Sequence, residues 1–183
     1  MSEDTGWLAF TEATSPNRAG EDGNWDDDED ALIDNSEVAE CDVGKDHYGD
    51  WLYLYNPSAI SIPAGSTIDG IQLMIKRAAE GTSRISDSSL KLAINESQSG
   101  DDKASSNTWP GPLETVYYGG AEDLWGTTYD IDDVTDSNFG IMLSADCDGD
   151  DAYAYVSYMA IKIYYTEISF IPQMMNHYKR LRA

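Results

Sequence analysis

The sequence predicts an all-β protein, an antiparallel β-sandwich of jelly-roll-like form, and three observations support that prediction. Apolar and polar residues alternate in several separate segments, as in strands that bury one face. Loops rich in Gly, Ser, Asp and Asn separate these segments at intervals of roughly 10–20 residues. No helical stripe of useful length interrupts them. A hydrophobic fraction of 41% over 183 residues is sufficient for one domain with its own core.

The first strands are predicted between residues 50 and 77. The segment DWLYLYN (50–56) is a short apolar and aromatic run. The segment ISIPAGSTIDGIQLMIKR (60–77) predicts a short strand, a turn at its Pro-Ala-Gly and then an alternating strand. In that second strand Ile71, Leu73 and Ile75 share one face, which we expect to be buried.

Three later segments continue the pattern. LKLAI (90–94) and FGIMLSA (139–145) alternate over a few residues each, and AYAYVSYMAIKIYYT (152–166) predicts a strand longer than usual. The odd-numbered positions of the last segment form its predicted apolar face: Tyr153, Tyr155, Ser157, Met159, Ile161, Ile163 and Tyr165.

Composition divides the chain into three parts. Residues 1–36 are polar and rich in turn residues, which predicts an irregular N-terminal arm with a short strand at Gly6–Thr11. Residues 37–166 contain the remaining predicted strands and form the sandwich domain. Residues 167–183 are basic and apolar, which distinguishes this C-terminal tail from the acidic remainder.

The tail predicts an assembly interface. Three basic residues stand there against Glu167 alone, so the tail can lie across the acidic, aromatic surface of a neighbouring copy. This interpretation implies a homo-oligomer; the alternative is a tail that folds back on its own domain or frays. The predicted interface residues are Ile168, Phe170, Ile171, Met174, Met175, Lys179, Arg180 and Arg182.

The acidic charge excludes some partners. A formal charge of −23 and a pI near 4.1 repel phosphate, so nucleic acid is not an expected partner. An acidic surface of this kind keeps a protein hydrated in brine, which suggests a saline origin; an ordinary acidic surface that keeps a subunit soluble is the alternative. No apolar run approaches the ~20 residues that span a bilayer, and the N-terminus lacks signal-peptide features, so we expect a soluble protein without membrane contact.

Motifs for catalysis are missing from the sequence. The two histidines, His47 and His177, have no neighbouring nucleophile motif, and no phosphate-binding loop, dinucleotide fingerprint or zinc motif is present. Cys41 and Cys147 show no metal-ligand spacing and are interpreted either as one disulfide or as two buried thiols. We therefore predict a protein that is not an enzyme and that requires no cofactor.

One acidic loop is a candidate calcium site. DCDGDD (146–151) places four carboxylates around a glycine between two strong strands, and hard oxygen ligands suit Ca²⁺. The spacing does not match an EF-hand, and a solvated acidic hairpin turn is the alternative. The candidate ligands are Asp146, Asp148, Asp150 and Asp151.

The segment VYYGGAEDLWG (116–126) has two interpretations. Gly119 and Gly120 allow positive φ at the end of a strand, and Leu124 with Trp125 can close one open end of a sandwich. An exposed tryptophan beside carboxylates would instead suit a sugar platform, with Trp109 and Trp125 as the glycan contacts. The corner interpretation requires fewer assumptions.

Taken together, several segments resemble a group of structural proteins of tailed viruses of bacteria and archaea. They are SPNRAGEDGNW, LYLYNPSAISIPAGSTIDGIQLMIKR, WPGPLETVYYGGAEDLWG, SNFGIMLSA and YMAIKIYYT, and the resemblance spans residues 15–166. Ser66 stands where alanine is usual, and the basic tail extends past the usual end. The resemblance implies a β-sandwich whose matching residues are structural: Pro63, Gly65, Gly70, Gly119, Gly120, Trp125, Gly140, Tyr164 and Tyr165.

The resemblance also implies a function. We expect a non-enzymatic protein of the virion, first a capsid decoration protein on the head surface and otherwise a tail or baseplate component, with capsid or tail subunits as partners. The alternative is a carbohydrate-binding module that recognises a host surface.

Overall fold

The computed structural model describes residues 2–19, 23–80 and 84–168, and its strands pair antiparallel throughout that part of the chain. Two short helices accompany them, a 3-10 helix at Asp28–Leu32 and α1 at Ile131–Thr135. The strands are β1 Ser2–Asp4, β2 Leu8–Thr14, β3 Trp25–Asp26, β4 Ala39–Val43, β5 Leu52–Pro57, β6 Thr67–Ala79, β7 Ile85–Ile94, β8 Ser97–Ser99, β9 Glu114–Gly119, β10 Phe139–Cys147 and β11 Ala152–Thr166.

Two sheets form the sandwich, which confirms the predicted fold class. In sheet A, β6 pairs with β9 on one side and β11 on the other, and β1, the start of β2 and β4 line the opposite edge of β11. β3 extends this sheet beyond β4. Sheet B has the order β2-β5-β10-β7-β8. Strand β2 belongs to both sheets, because Leu8 and Ala9 pair with β11 while Phe10 to Thr14 pair with β5.

The core lies between the inner faces of the sheets. Ile71, Leu73 and Ile75 of β6 are fully buried, as the alternation predicts, and they face the apolar positions of sheet B. At about 25 cal/mol per Å² of buried apolar surface, this layer is the main source of stability. Its largest fully buried members include Phe10, Leu52, Leu54, Leu90, Leu92, Phe139 and Ile141.

Strand β11 contains an extra residue. Val156 pairs with Arg77 and Tyr158 with Lys76, so Ser157 has no partner position in β6 and forms a β-bulge. A one-residue insertion moves every later side chain to the opposite face.

The bulge corrects the prediction for β11. The positions that belong to the hydrophobic core are even-numbered before it and odd-numbered after it: Ala152, Ala154 and Val156, then Met159, Ile161, Ile163 and Tyr165. The expected single apolar face through all odd positions is therefore wrong. Tyr153 and Tyr155 are only partly buried and lie on the outer face of sheet A, where their rings stack on each other with centroids 6.2 Å apart.

The N-terminal segment is part of the sandwich rather than an irregular arm. β1 and β2 pair with β11, and the strand expected at Gly6–Thr11 occurs as β2, Leu8–Thr14. Trp25 is buried, and its Nε1 donates to the Asp50 carbonyl at 3.0 Å. The boundary predicted at residue 36 is therefore wrong, because apolar anchors and strand pairing join this segment to the core. The short strand expected at residues 60–62 is also missing, and those residues form a loop.

One buried charge network joins the two sheets. Arg77 of β6 and Asp87 of β7 form an ion pair, and both side chains are almost completely buried. The Asp87 carboxylate also accepts hydrogen bonds from the Tyr118 hydroxyl at 2.6 Å and from Trp109 Nε1 at 2.8 Å. Burial, reinforced by that carboxylate, raises the pKa of Tyr118 well above its usual value, so the phenol stays a donor.

The segment 116–126 forms a corner of the sandwich. Gly119 has φ +71°, and a Cβ there would lie 2.2 Å from the Ile71 carbonyl oxygen. The same oxygen accepts a hydrogen bond from Trp125 Nε1 at 3.0 Å, and the indole is fully buried. Gly120 has open space around it and no positive φ, so within this glycine pair the conformational argument holds only for Gly119.

In the described part of the chain no helix is both long enough and apolar enough to cross a membrane.

Candidate binding face

The outer face of sheet A concentrates aromatic side chains, and we call it the aromatic face. Trp7 is 37% exposed and Tyr117 57% exposed, values that place both among the five large hydrophobic residues that the described chain leaves open to solvent. From Tyr153 to Tyr164, β11 extends the face over about 36 Å at 3.3 Å per residue. The members are Trp7, Tyr117, Tyr153, Tyr155, Tyr158 and Tyr164, with Gln72, Lys76 and Lys162 between them.

Trp7 reaches across this face to Tyr117. Gly6 has φ +70° and its N–H is held by the Asp4 carboxylate at 2.8 Å, which turns the chain between β1 and β2. The Trp7 and Tyr117 ring centroids lie 5.7 Å apart with planes at 40°. Tyr117 belongs to β9 and Trp7 precedes β2, so this pair of rings spans the strands β11 and β6 that separate them.

Polar groups lie beside the rings. Lys162 Nζ lies 4.8 Å from the Trp7 ring centroid and 5.8 Å from that of Tyr164. The Tyr164 hydroxyl donates to Gln72 Oε1 at 3.0 Å. None of the ion pairs between described residues involves Lys162, and within that part of the chain its ammonium group lies against these two rings. Flat apolar surface and hydrogen-bonding groups thus alternate over a short distance.

A pocket of about 250 Å³ lies farther along the same face. Lys76 and Asp34 line it and form an ion pair at 2.6 Å; Leu113 and Thr115 also line it. Ser157, the bulge residue, lines it too. This side chain is 1% exposed, and its hydroxyl has no hydrogen-bond partner among the described residues. We call this the bulge pocket.

Tyr155 and Tyr158 of this face are kept in the neutral form at ordinary pH. Burial, and after it the Asp34 carboxylate, raises the pKa of Tyr158, while Lys76 lowers it. Burial and then Glu80 raise the pKa of Tyr155. Their phenols can therefore both donate and accept hydrogen bonds.

The outer face of sheet B is also aromatic, but it is covered. Tyr53 is 2% exposed and stacks on Tyr55 with ring centroids 4.7 Å apart. The Arg18 guanidinium lies 3.9 Å from the Tyr48 ring centroid and 4.6 Å from that of Trp51. Because the residues before β3 bring this arginine over the face, sheet B offers less open aromatic surface than sheet A.

The two predicted glycan contacts are wrong, because both indoles are buried. Trp109 is 3% exposed and donates to the Asp87 carboxylate; Trp125 is 0% exposed and donates to a backbone carbonyl. Neither ring presents a face to solvent.

The proposed calcium ligands do not converge. Lys45 Nζ pairs with Asp150 at 3.2 Å, and the Lys45 backbone N–H donates to Asp151 at 2.7 Å. Asp148 lies 3.9 Å from Arg84. Among the described residues no group of three or more His, Cys, Asp or Glu side chains is arranged to hold a metal. The calcium site predicted at Asp146, Asp148, Asp150 and Asp151 is therefore wrong, because each loop carboxylate has a different environment.

The predicted structural residues lie at turns and close contacts. Pro63 accepts a hydrogen bond from the Ser66 N–H at 3.1 Å, and Gly65 between them has φ +85°. A Cβ on Gly70 would lie 2.3 Å from the Gly120 carbonyl oxygen, and one on Gly140 would lie 2.1 Å from that of Leu54.

Most of the predicted interface lies outside the described residues. Ile168 is described and is 57% exposed. The others are not described: Phe170, Ile171, Met174, Met175, Lys179, Arg180 and Arg182. Cys41 and Cys147 are free and buried, and burial raises the pKa of Cys41 to about 12.

Sequence reasoning missed Trp7, Tyr117 and Ser157. One signal was available: tyrosines occupy odd positions at 153 and 155 but even positions at 158 and 164, with Tyr165 as the exception, so their phase changes across Ser157. A phase change within one strand indicates a bulge. No comparable signal brings Trp7 to Tyr117, because 110 residues separate them in the chain.

Comparisons with known proteins give only distant likenesses. No family model and no curated protein match the sequence. A solved structure described as "CBM4 structure and function" is similar at 14% identity and a TM-score of 0.38, over 85% of this chain and 89% of that one. The N-terminal cellulose-binding domain of Cellulomonas fimi beta-1,4-glucanase C is similar at 14% identity and a TM-score of 0.35, over 90% of this chain and 94% of that one. At these TM-scores neither likeness carries an argument.

Proposed function

We propose that this protein is a non-enzymatic binding protein whose aromatic face binds carbohydrate, and that it works as a structural component of a tailed-virus particle. The observation that carries the first part is the open Trp7–Tyr117 pair with Lys162 beside it. Aromatic rings stack on the apolar faces of sugar rings, and neighbouring amide, ammonium and phenol groups bond to hydroxyls.

Affinity electrophoresis in gels containing neutral polysaccharides such as soluble cellulose derivatives, mannan or glycol chitin tests this part. The full chain should be retarded, and Trp7→Ala should weaken binding roughly tenfold or more, because Trp7 is a central aromatic anchor. Trp51→Ala is the matched control, since its ring lies on the outer face of sheet B beneath Arg18, and it should bind like the parent. An unretarded parent protein, or equal retardation of Trp7→Ala and parent, would refute carbohydrate binding at this face.

The particle role has separate support. The resemblance to tailed-virus structural proteins spans residues 15–166, and its glycines at 70, 119 and 140 lie where a side chain would collide with backbone. Ile33 is 63% exposed and Ile168 57% exposed, so apolar surface for neighbouring subunits remains open. Decoration of the head is the first position we propose; tail or baseplate is the second.

Mass spectrometry of purified particles of the encoding virus tests the particle role, with light-scattering mass of the full chain in low and multimolar KCl as the test of self-association. We expect the protein in intact particles at a fixed stoichiometry and a defined oligomer in solution. Its absence from particles would refute this role and leave the carbohydrate experiment unaffected.

A further inference from the structure

We propose that the bulge pocket is a second carbohydrate subsite, one that receives the next sugar of a neutral chain whose first sugar stacks on Trp7 and Tyr117. This inference rests on the proposed carbohydrate binding and specifies its ligand as a chain of uncharged sugars. Its independent support is Ser157, a residue of the pocket lining whose buried hydroxyl has no partner among the described residues.

The chemistry of the pocket selects a neutral, hydroxylated ligand. Asp34 and Glu114 both line it, so an anionic group would meet two carboxylates. A cationic group would be repelled by the Lys76 ammonium, which already forms an ion pair with the Asp34 carboxylate at 2.6 Å. A sugar hydroxyl both donates and accepts, so it can satisfy Ser157 and bond to the ion pair without adding charge.

The position of the pocket fits a continuous chain. Tyr117 pairs with Met74, and Thr115 with Lys76, so platform and pocket are two residues apart on both β9 and β6. At 3.3 Å per residue that offset is about 7 Å along the strands. The bulge lies at this position, because Ser157 has no partner residue in β6. Leu113, 48% exposed, provides an apolar wall for the ring of the second sugar.

The apolar wall and the buried hydroxyl together make the pocket sensitive to two kinds of substitution. Ser157→Ala removes a hydroxyl that has no partner among the described residues, so folding should be unaffected. Thr115→Trp places a large side chain at an exposed position of the pocket lining. Ser97→Ala, an exposed serine of β8 in sheet B, is the matched control.

The test is isothermal calorimetry of the full chain with glucose, N-acetylglucosamine and the cello- and chito-oligosaccharides from disaccharide to hexasaccharide, with oligogalacturonate as the anionic probe. For the parent, affinity should rise from the monosaccharide to the disaccharide, which fills both subsites, and the neutral series should bind more tightly than oligogalacturonate. Ser157→Ala should weaken binding of the disaccharide and longer chains roughly fivefold, the effect of one hydrogen bond, and Thr115→Trp at least as much. Binding of the monosaccharide, and every affinity of Ser97→Ala, should match the parent.

The possible results separate the two proposals. Parent affinity that depends on Trp7 but is unchanged by both Ser157→Ala and Thr115→Trp would overturn the second subsite and leave the platform intact. Tighter binding of oligogalacturonate would overturn the neutral ligand class. No binding of any oligosaccharide by the parent would overturn both the subsite and the proposed carbohydrate function.

Discussion

The outer faces of the two sheets have similar composition but differ in how far their aromatic rings are exposed to solvent. Each carries a tryptophan, several tyrosines and a cation over aromatic rings, Lys162 on sheet A and Arg18 on sheet B. On sheet B the ring of Tyr53 is 2% exposed, whereas Tyr117 on sheet A is 57% exposed. Aromatic content alone therefore does not identify a binding face; what decides is whether the chain's own segments cover it.

The cover on sheet B is specific. Arg18 donates to the hydroxyls of Ser88 at 2.9 Å and Ser144 at 2.7 Å, and its backbone N–H donates to Asp50 at 2.6 Å. These bonds hold the guanidinium against Tyr48 and Trp51. On sheet A the chain supplies the exposed Trp7 and no comparable clamp among the described residues.

The largest effect on stability should follow from breaking the buried ion pair that joins the two sheets, because both outer faces depend on the packing of the sandwich. Asp87→Ala leaves the Arg77 guanidinium buried without its carboxylate, and we expect unfolding free energy to fall by about 3–5 kcal/mol. Asp34→Ala, which removes the exposed partner of Lys76, should cost at most about 1 kcal/mol. Urea denaturation of both variants measures the difference, and equal losses would contradict the importance of the buried network.

The second largest loss of stability should come from the corner that ends β9, because this corner positions the strand that carries Tyr117. Gly119→Ala forces a side chain onto a backbone with φ +71°, against the Ile71 carbonyl, and should cost about 2–4 kcal/mol. Gly120→Ala points into open space and should change stability by less than about 0.5 kcal/mol. Thermal unfolding of the two variants measures the difference in their melting temperatures, and similar values would refute the corner geometry.

The two cations provide the most direct test of the comparison. Arg18→Ala should cost about 1–2 kcal/mol, because it removes two aromatic contacts and two side-chain hydrogen bonds, and it should increase iodide quenching of Trp51. Lys162→Ala removes only contacts with rings that are already open, and should cost less than about 1 kcal/mol. Equal costs and unchanged quenching would mean that Arg18 is not the cover of sheet B.

Individual strands show how much of the fold can be predicted from the sequence. The alternation of Ile71, Leu73 and Ile75 predicts β6, and the fifteen residues of β11 match their segment, because period-two patterns reflect burial on one face. The extra residue at Ser157 could not be placed by a strict alternation, and it decides which tyrosines face outward.

The aromatic face depends on contacts distant in sequence. Trp7 meets Tyr117 across two strands, and Arg18 reaches Ser144 from the other end of the chain. Such pairs depend on topology rather than local pattern. For the same reason the sequence left two interpretations of Trp125 open, a buried corner and, with Trp109, an exposed glycan contact: the carboxylate and carbonyl that accept from the two indoles lie 22 and 54 residues away.

The smallest expected effect concerns alkaline stability on the covered face. Burial raises the pKa of Tyr53 from 10.0 to about 12. Because the folded pKa is the higher one, this tyrosine's contribution is fully present below pH 10 and is lost as pH rises toward 12, where only the unfolded state readily ionises. Unfolding free energy of the parent should therefore decline over that window more steeply than that of Tyr53→Phe. Chemical denaturation at stepped pH gives both slopes, and Tyr55→Phe is the neighbouring control. If Tyr53→Phe declines as steeply as the parent, Tyr53 ionises freely in the fold, and the face of sheet B is as open to solvent as that of sheet A.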